Sequence, residues 1–147
     1  MTGWGILATK SDIAVVPDEL SIYVTEGYYT SPSSRVRRYT YRMDGFVSIE
    51  APLAGGQVVT KPFVFAGSAL RMNFSTSTAG SVRVKIQDRD GTPIPGFALS
   101  GCPPIYGADI EHVVVWKGEG ELAALAGRPV RLRFELKDAD LFAFGFR

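Results

Sequence analysis

Few residues in this chain of 147 have the type and setting to do chemistry, and they are scattered along it. Glu26, Glu50, Asp109 and Glu111 could supply the two carboxylates, facing each other across about 5–10 Å, that hydrolysis of a glycosidic bond needs. Nothing in their spacing selects a pair, so no catalytic residue is assigned. The single histidine, His112, leads into an apolar strand and has no serine or cysteine nucleophile motif near it, which reads as a structural imidazole. Cys102, between Gly101 and Pro103, is a thiol in a small turn and reads as inert. Asp88 and Asp90 in DRDG, and Asp138 and Asp140 in DAD, alternate as oxygen ligands of a calcium ion would. Turn chemistry accounts for both runs, so the expectation is no cofactor, with a structural calcium as the exception weighed against it. Arg71, Arg83, Arg131 and Arg133, with Lys85, point outward from strands. They read as a solvated face or a face docked on another protein, and an acidic polysaccharide is the ligand that would suit them.

The elements that must position these residues are strands. In Arg128 to Phe146, Val130, Leu132, Phe134 and Leu136 alternate with Arg131, Arg133, Glu135 and Lys137, a period of two that sends one set into a core. Asp138-Ala139-Asp140 then breaks the run, and Leu141 to Phe146 resumes with Phe142, Phe144 and Phe146 on one side, which predicts a closing β-hairpin. Upstream, Ile13 to Val16 reads as an edge segment with Trp4 before it, and Leu20 to Thr25 as a strand. Val36 to Arg42 and Phe46 to Ala51 flank Asp44-Gly45, a strong hairpin signal because both positions accept positive φ. Val58 to Ala66, Leu70 to Ser75 and Val82 to Gln87 follow as three strands, with turns at Gly67-Ser68 and Ala79-Gly80. Pro93 to Pro104 reads as a short strand or ordered loop centred on Phe97 to Leu99. Glu111 to Trp116 is a further strand, and Glu119 to Ala126 a short helix stopped by Gly127. About nine or ten short strands with one short helix predict an all-β antiparallel β-sandwich or jelly roll.

Composition narrows the partners. Sixteen basic against 15 acidic residues argue against nucleic acid, where a strong basic excess is expected. One cysteine excludes an internal disulfide, so packing alone must hold the fold. No run of about 18 apolar residues occurs and the N-terminus lacks a basic-then-apolar leader, so the chain as given is expected to be soluble, without a membrane partner. Any export signal would belong to a longer, secreted precursor.

Two stretches carry a family resemblance. Glu19 to Pro52 (ELSIYVTEGYYTSPSSRVRRYTYRMDGFVSIEAP) resembles the end of the catalytic region in bacterial glycosidase-like proteins of the five-bladed β-propeller type. Gly55 to Phe146 resembles their C-terminal β-sandwich, through KPFVF (61–65), SVRVKIQDRDGTPIPGF (81–97), VVVWKG (113–118) and LAGRPVRLRFELKDADLFAF (125–144). The resemblance implies two regions, an N-terminal extension over 1–50 and a sandwich over 51–147, and a non-catalytic carbohydrate-binding or accessory module whose partners are a polysaccharide or oligosaccharide and a glycosidase catalytic domain. The propeller's catalytic carboxylates are absent here. Sugar modules lay aromatic rings on pyranose faces beside polar side chains. That points to Tyr28 and Tyr29 with Glu26, to Tyr106 with Asp109, and to Trp116, whose other reading is a core or edge tryptophan. Two other classes stay open: a protein-interaction sandwich docking its arginine face on a catalytic propeller, and a small glycoside hydrolase with an unidentified carboxylate pair. The strands of 1–50 could also pair with another copy and form a homo-oligomer.

Overall fold

The computed structural model describes residues 5–11, 13, 16–28, 32–118 and 120–147. Strands dominate, helix is nearly absent, and the strands form two antiparallel sheets, an all-β sandwich-like fold. The chain divides into two compact units, Met1–Phe46 and Val47–Arg147.

The first unit is a meander of β1 (Leu7–Thr9), β2 (Glu19–Glu26) and β3 (Arg35–Arg42). Ladder hydrogen bonds run from Glu19–Arg42 to Glu26–Arg35 between β2 and β3. Arg38 ties all three strands: its Nε donates to Ser21 Oγ at 2.8 Å, and its Nη2 to Glu19 Oε2 at 2.9 Å and Thr9 Oγ1 at 3.1 Å. Ser21 is the one residue of this unit buried among those described. The turn expected at Asp44-Gly45 forms, with Asp44 at φ 49° and Gly45 N–H donating to Arg42 O. It does not close the predicted hairpin. β3 already has β2 as its neighbour, and the chain beyond the turn goes to β4 (Ile49–Ala51), which pairs with the last strand. Of the expected Ile13–Val16 edge segment, Ala14 and Val15 lie outside the described residues, and the strand that forms is β1.

The second unit is built on two long strands, β6 (Leu70–Asp88) and β8 (Val130–Phe146). They pair along nearly their whole length, from Leu70–Phe146 to Asp88–Val130. β5 (Gly56–Val59) and β4 flank β8 on its other edge at different levels, and β7 (Ala108–Val113) flanks the first part of β6. This corrects two expectations. The closing hairpin is one strand, and so are the segments 70–75 and 82–87. The polar DAD and the Ala-Gly stay in the ladder because each faces the other strand: register passes from Thr76–Ala139 to Ser81–Lys137, so residues 77–80 bulge opposite Asp138. Asp138 sits at φ 42°, a conformation that aspartate tolerates better than most side chains. Gly80 lies against Asp138 O and Lys137 O, where no Cβ fits.

The two irregularities reset which residues face the core. Val130, Leu132, Phe134 and Leu136 are buried before Asp138, and Ala139 and Leu141 after it. Phe142 falls between the register pairs Phe74–Leu141 and Asn73–Ala143, which returns Phe144 and Phe146 to the even positions. There Phe146 stacks on Phe65 at 3.9 Å, and Phe144 lies 5.2 Å from the Phe134 ring. From β6 come Leu70, Met72, Phe74, Val82, Val84 and Ile86. Each large apolar side chain so buried contributes roughly 1.5–3 kcal/mol. Irregular segments complete the cluster. Pro93 to Pro104 is an ordered loop with a 3-10 turn at Leu99–Gly101, contributing Phe97 and Cys102. The expected helix is a 3-10 turn, Leu122–Leu125, whose two leucines are buried. The expected strand 111–116 lies earlier, as β7, and the expected strand 58–66 is the shorter β5 followed by a Phe63–Val130 bridge.

Candidate functional site

The strand ladders sort the candidate residues into separate places. Tyr28 follows β2 and is 54% exposed, and Tyr29 lies outside the described residues. Glu26 is engaged within the sheet: Oε2 accepts from Arg35 Nε at 2.8 Å, and Oε1 accepts from the Tyr39 hydroxyl at 3.0 Å with Arg37 Nε at 3.3 Å. The Arg35 hydrogen bond, then that of Tyr39, holds its carboxyl below the usual glutamate value. Trp116 is half-buried against the core, its indole Nε1 donating to Val84 O at 2.9 Å and its ring edge-on to Phe97 at 5.3 Å. That geometry is a structural tryptophan's, the other of the two readings weighed.

Among the other reactive types, Cys102 is buried, its Sγ accepting the Val84 N–H at 3.4 Å, and burial pushes the thiol's pKa up. His112 lies edge-on to Phe74, with Nδ1 3.6 Å from Asp109 Oδ2. Glu111 is clamped between Arg71 and Arg147 at 2.9 and 2.8 Å. Asp109 Oδ1 accepts the Glu111 N–H. Asp88 is a turn cap that accepts the N–H groups of Asp90 and Thr92, and the Thr92 bond above all lowers its pKa. Among the described residues no group of three or more His, Cys, Asp or Glu is arranged to hold a metal ion. No helix among them is long and apolar enough to cross a membrane.

Among the described residues, two polar depressions lie along the β6–β8 ladder. The first, about 290 Å³, sits at the bulge and is lined by Glu50 of β4, Ser75, Thr76 and Ser77 of β6, and Asp138 and Asp140 of β8. Asp140 Oδ1 accepts the Ser48 hydroxyl at 2.7 Å. Gly107 is fastened to this rim: its carbonyl accepts Thr76 N–H at 2.8 Å and its N–H donates to Thr76 Oγ1 at 3.0 Å. Tyr106, one residue before, is 71% exposed. Its neighbour Ile105 is buried and bridges to Val82, which anchors the backbone under the exposed ring.

The second depression, about 700 Å³, lies over Gln57, Ser81, Arg83, Glu135 and Lys137, with the loop Leu53–Gly56 at its side. Ser81–Lys137, Arg83–Glu135 and Lys85–Arg133 are register pairs, and Gln57 faces Glu135 from β5. Four of the five cations proposed as a platform, Arg83, Lys85, Arg131 and Arg133, therefore stand together. Arg71 does not join them, since it lies beyond the bulge and is taken by Glu111. Ser75, Thr76, Ser77, Gln57 and Ser81 were not singled out from the sequence. A run of hydroxyls before a glycine was the visible signal for the first three, while the last two depend on strand register.

No protein-family model matches the chain, no curated protein matches it, and no solved structure matches it.

Proposed function

We propose that this chain is a non-catalytic carbohydrate-binding module that accompanies a glycoside hydrolase. The observation that carries the proposal is the bulge corner, a depression lined by three carboxylates and three hydroxyls, to whose Thr76 the residue after the exposed Tyr106, Gly107, is hydrogen-bonded. A pyranose offers an apolar face to a ring and hydroxyls around its edge, and this combination answers both. The resemblance of Gly55 to Phe146 to the C-terminal sandwich of propeller glycosidases supports the same class. Of the residues expected to touch sugar, Tyr106 is retained at this site, while Glu26 and Trp116 have partners of their own.

Affinity electrophoresis against a panel of neutral polysaccharides tests the proposal. Tyr106→Ala is expected to weaken retention roughly tenfold, about 1.4 kcal/mol, the scale of one ring contact. Asp140→Asn should weaken it as well, whereas Trp116→Phe should leave it unchanged. Retention by no member of the panel, or retention indifferent to Tyr106 and Asp140, overturns the site.

A further inference from the structure

The outer face of the second unit's sheet carries a charge pattern that the corner site does not use. Over Ser81–Gln87 of β6 and Arg131–Lys137 of β8, the outward positions hold five cations, Arg83, Lys85, Arg131, Arg133 and Lys137, against one anion, Glu135. These positions sum to +4, five cations less one anion, while the chain as a whole is at net +1, so the remaining residues sum to −3. Side chains on such a ladder repeat about 4.8 Å across strands and about 6.8 Å along them, which sets a grid of cations. Among the described residues Arg83, Lys85 and Lys137 have no ion-pair partner. Like charges gathered without counter-charges are unfavourable, and an anionic ligand relieves this.

The same face excludes some polyanions. Glu135 lies opposite Arg83 and takes Arg133 Nη2 at 3.3 Å, so a carboxylate stands in the middle of the grid. No aromatic ring among the outward residues of 81–87 and 131–137 offers a nucleic-acid base a stacking surface. Glu135, Gln57 and Ser81 instead supply acceptors and donors for hydroxyl groups inside the 700 Å³ depression.

We infer that this face binds an acidic polysaccharide, with carboxylate or sulfate groups on Arg83, Lys85 and Lys137 and sugar hydroxyls on Gln57, Ser81 and Glu135. The choice of a saccharide rests on the carbohydrate-binding reading above; the choice of an anionic one rests on this face alone.

The test is affinity electrophoresis of the full chain at low salt in gels containing polygalacturonate, chondroitin sulfate, neutral dextran, polyglutamate or duplex DNA, using the native protein, Arg83→Gln/Lys137→Gln, Arg128→Gln and Tyr106→Ala. Polygalacturonate or chondroitin sulfate is expected to retard the native protein. The double variant should be retained at least about tenfold less, because two of the three cations assigned to the anionic groups are gone. Arg128→Gln, which removes one exposed cation outside these two strands, should behave as the native protein does. Retardation by polygalacturonate alone identifies carboxylate as the anionic group, and by chondroitin sulfate alone, sulfate; either supports the inference. Equal retardation by polyglutamate or DNA overturns it in favour of unselective charge. Absence of retardation by both acidic polysaccharides, or retardation untouched in the double variant, overturns it too. If neutral polysaccharide binding through Tyr106 survives that outcome, only this inference falls; if it is lost as well, the carbohydrate reading falls with it. Lys137→Glu, at an exposed position, repeats the test should the double variant not fold.

Discussion

Glu26 gathers two arginines and a tyrosine, while Asp88 gathers backbone N–H groups, and both carboxylates are held below their ordinary range. The sign follows from the depression. A carboxyl that loses its proton more readily when folded lends stability that is complete above the unfolded-state range, about pH 4, and is lost as the pH falls through the lower folded value. Acid titration followed by circular dichroism is therefore expected to show structure lost below about pH 4. Glu26→Gln should flatten the part of that limb due to the first unit, and Asp88→Asn the part due to the second. An acid limb identical in both variants and the native chain would show that other groups set it.

At the scale of elements, the bulge at residues 77–80 decides both the shape of the sheet and the position of the corner depression. Gly80→Ala drives a methyl group into the carbonyls of Lys137 and Asp138 and should cost about 1–3 kcal/mol. Asp138→Gly, which relieves the positive φ, should be tolerated, whereas Asp138→Val at φ 42° should not. Thermal unfolding of the three variants checks the order, and equal stability of Gly80→Ala and the native chain would contradict the packing described. This corner also marks where the sequence stopped being legible. The alternation of Val82 to Ile86 and Val130 to Leu136 showed which side chains face inward, and the all-β class followed from it. Asp138-Ala139-Asp140 and Ala79-Gly80 have the composition of turns, and a local reading makes them turns. Whether they end a strand or only kink it depends on what lies opposite, and each lies opposite the other across some sixty residues of chain. The same dependence hid Gln57, whereas the outward Arg83, Lys85, Arg131 and Arg133 were legible from alternation alone. The Asp44-Gly45 turn was legible, but its partner strand was not, because β2 had already claimed β3.

For the whole molecule, burial is divided unequally. Every buried hydrophobic among the described residues lies between Ala51 and Leu141, and the first unit keeps only Ser21 from solvent. A three-stranded sheet without an apolar core is marginal in water. Residues 47–147 expressed alone are expected to unfold in one cooperative calorimetric transition, and residues 1–46 alone to show none; a transition in the shorter piece, or none in the longer, would refute this division of stability. The long β6–β8 ladder has a further consequence, in time rather than in space. Its nearest register pair, Asp88–Val130, joins residues 42 positions apart, and its farthest, Leu70–Phe146, joins residues 76 apart. Closing such loops costs entropy before any core contact compensates, so the chain belongs with slow folders. During synthesis β6 leaves the ribosome well ahead of β8, and its Leu, Met, Phe, Val and Ile side chains wait without their mate. The loops Pro93–Pro104 and 114–125, made in between, hold Phe97, Cys102, Leu122 and Leu125, which join the earlier Ala51 and Phe65 as apolar company for β6 before its mate is made.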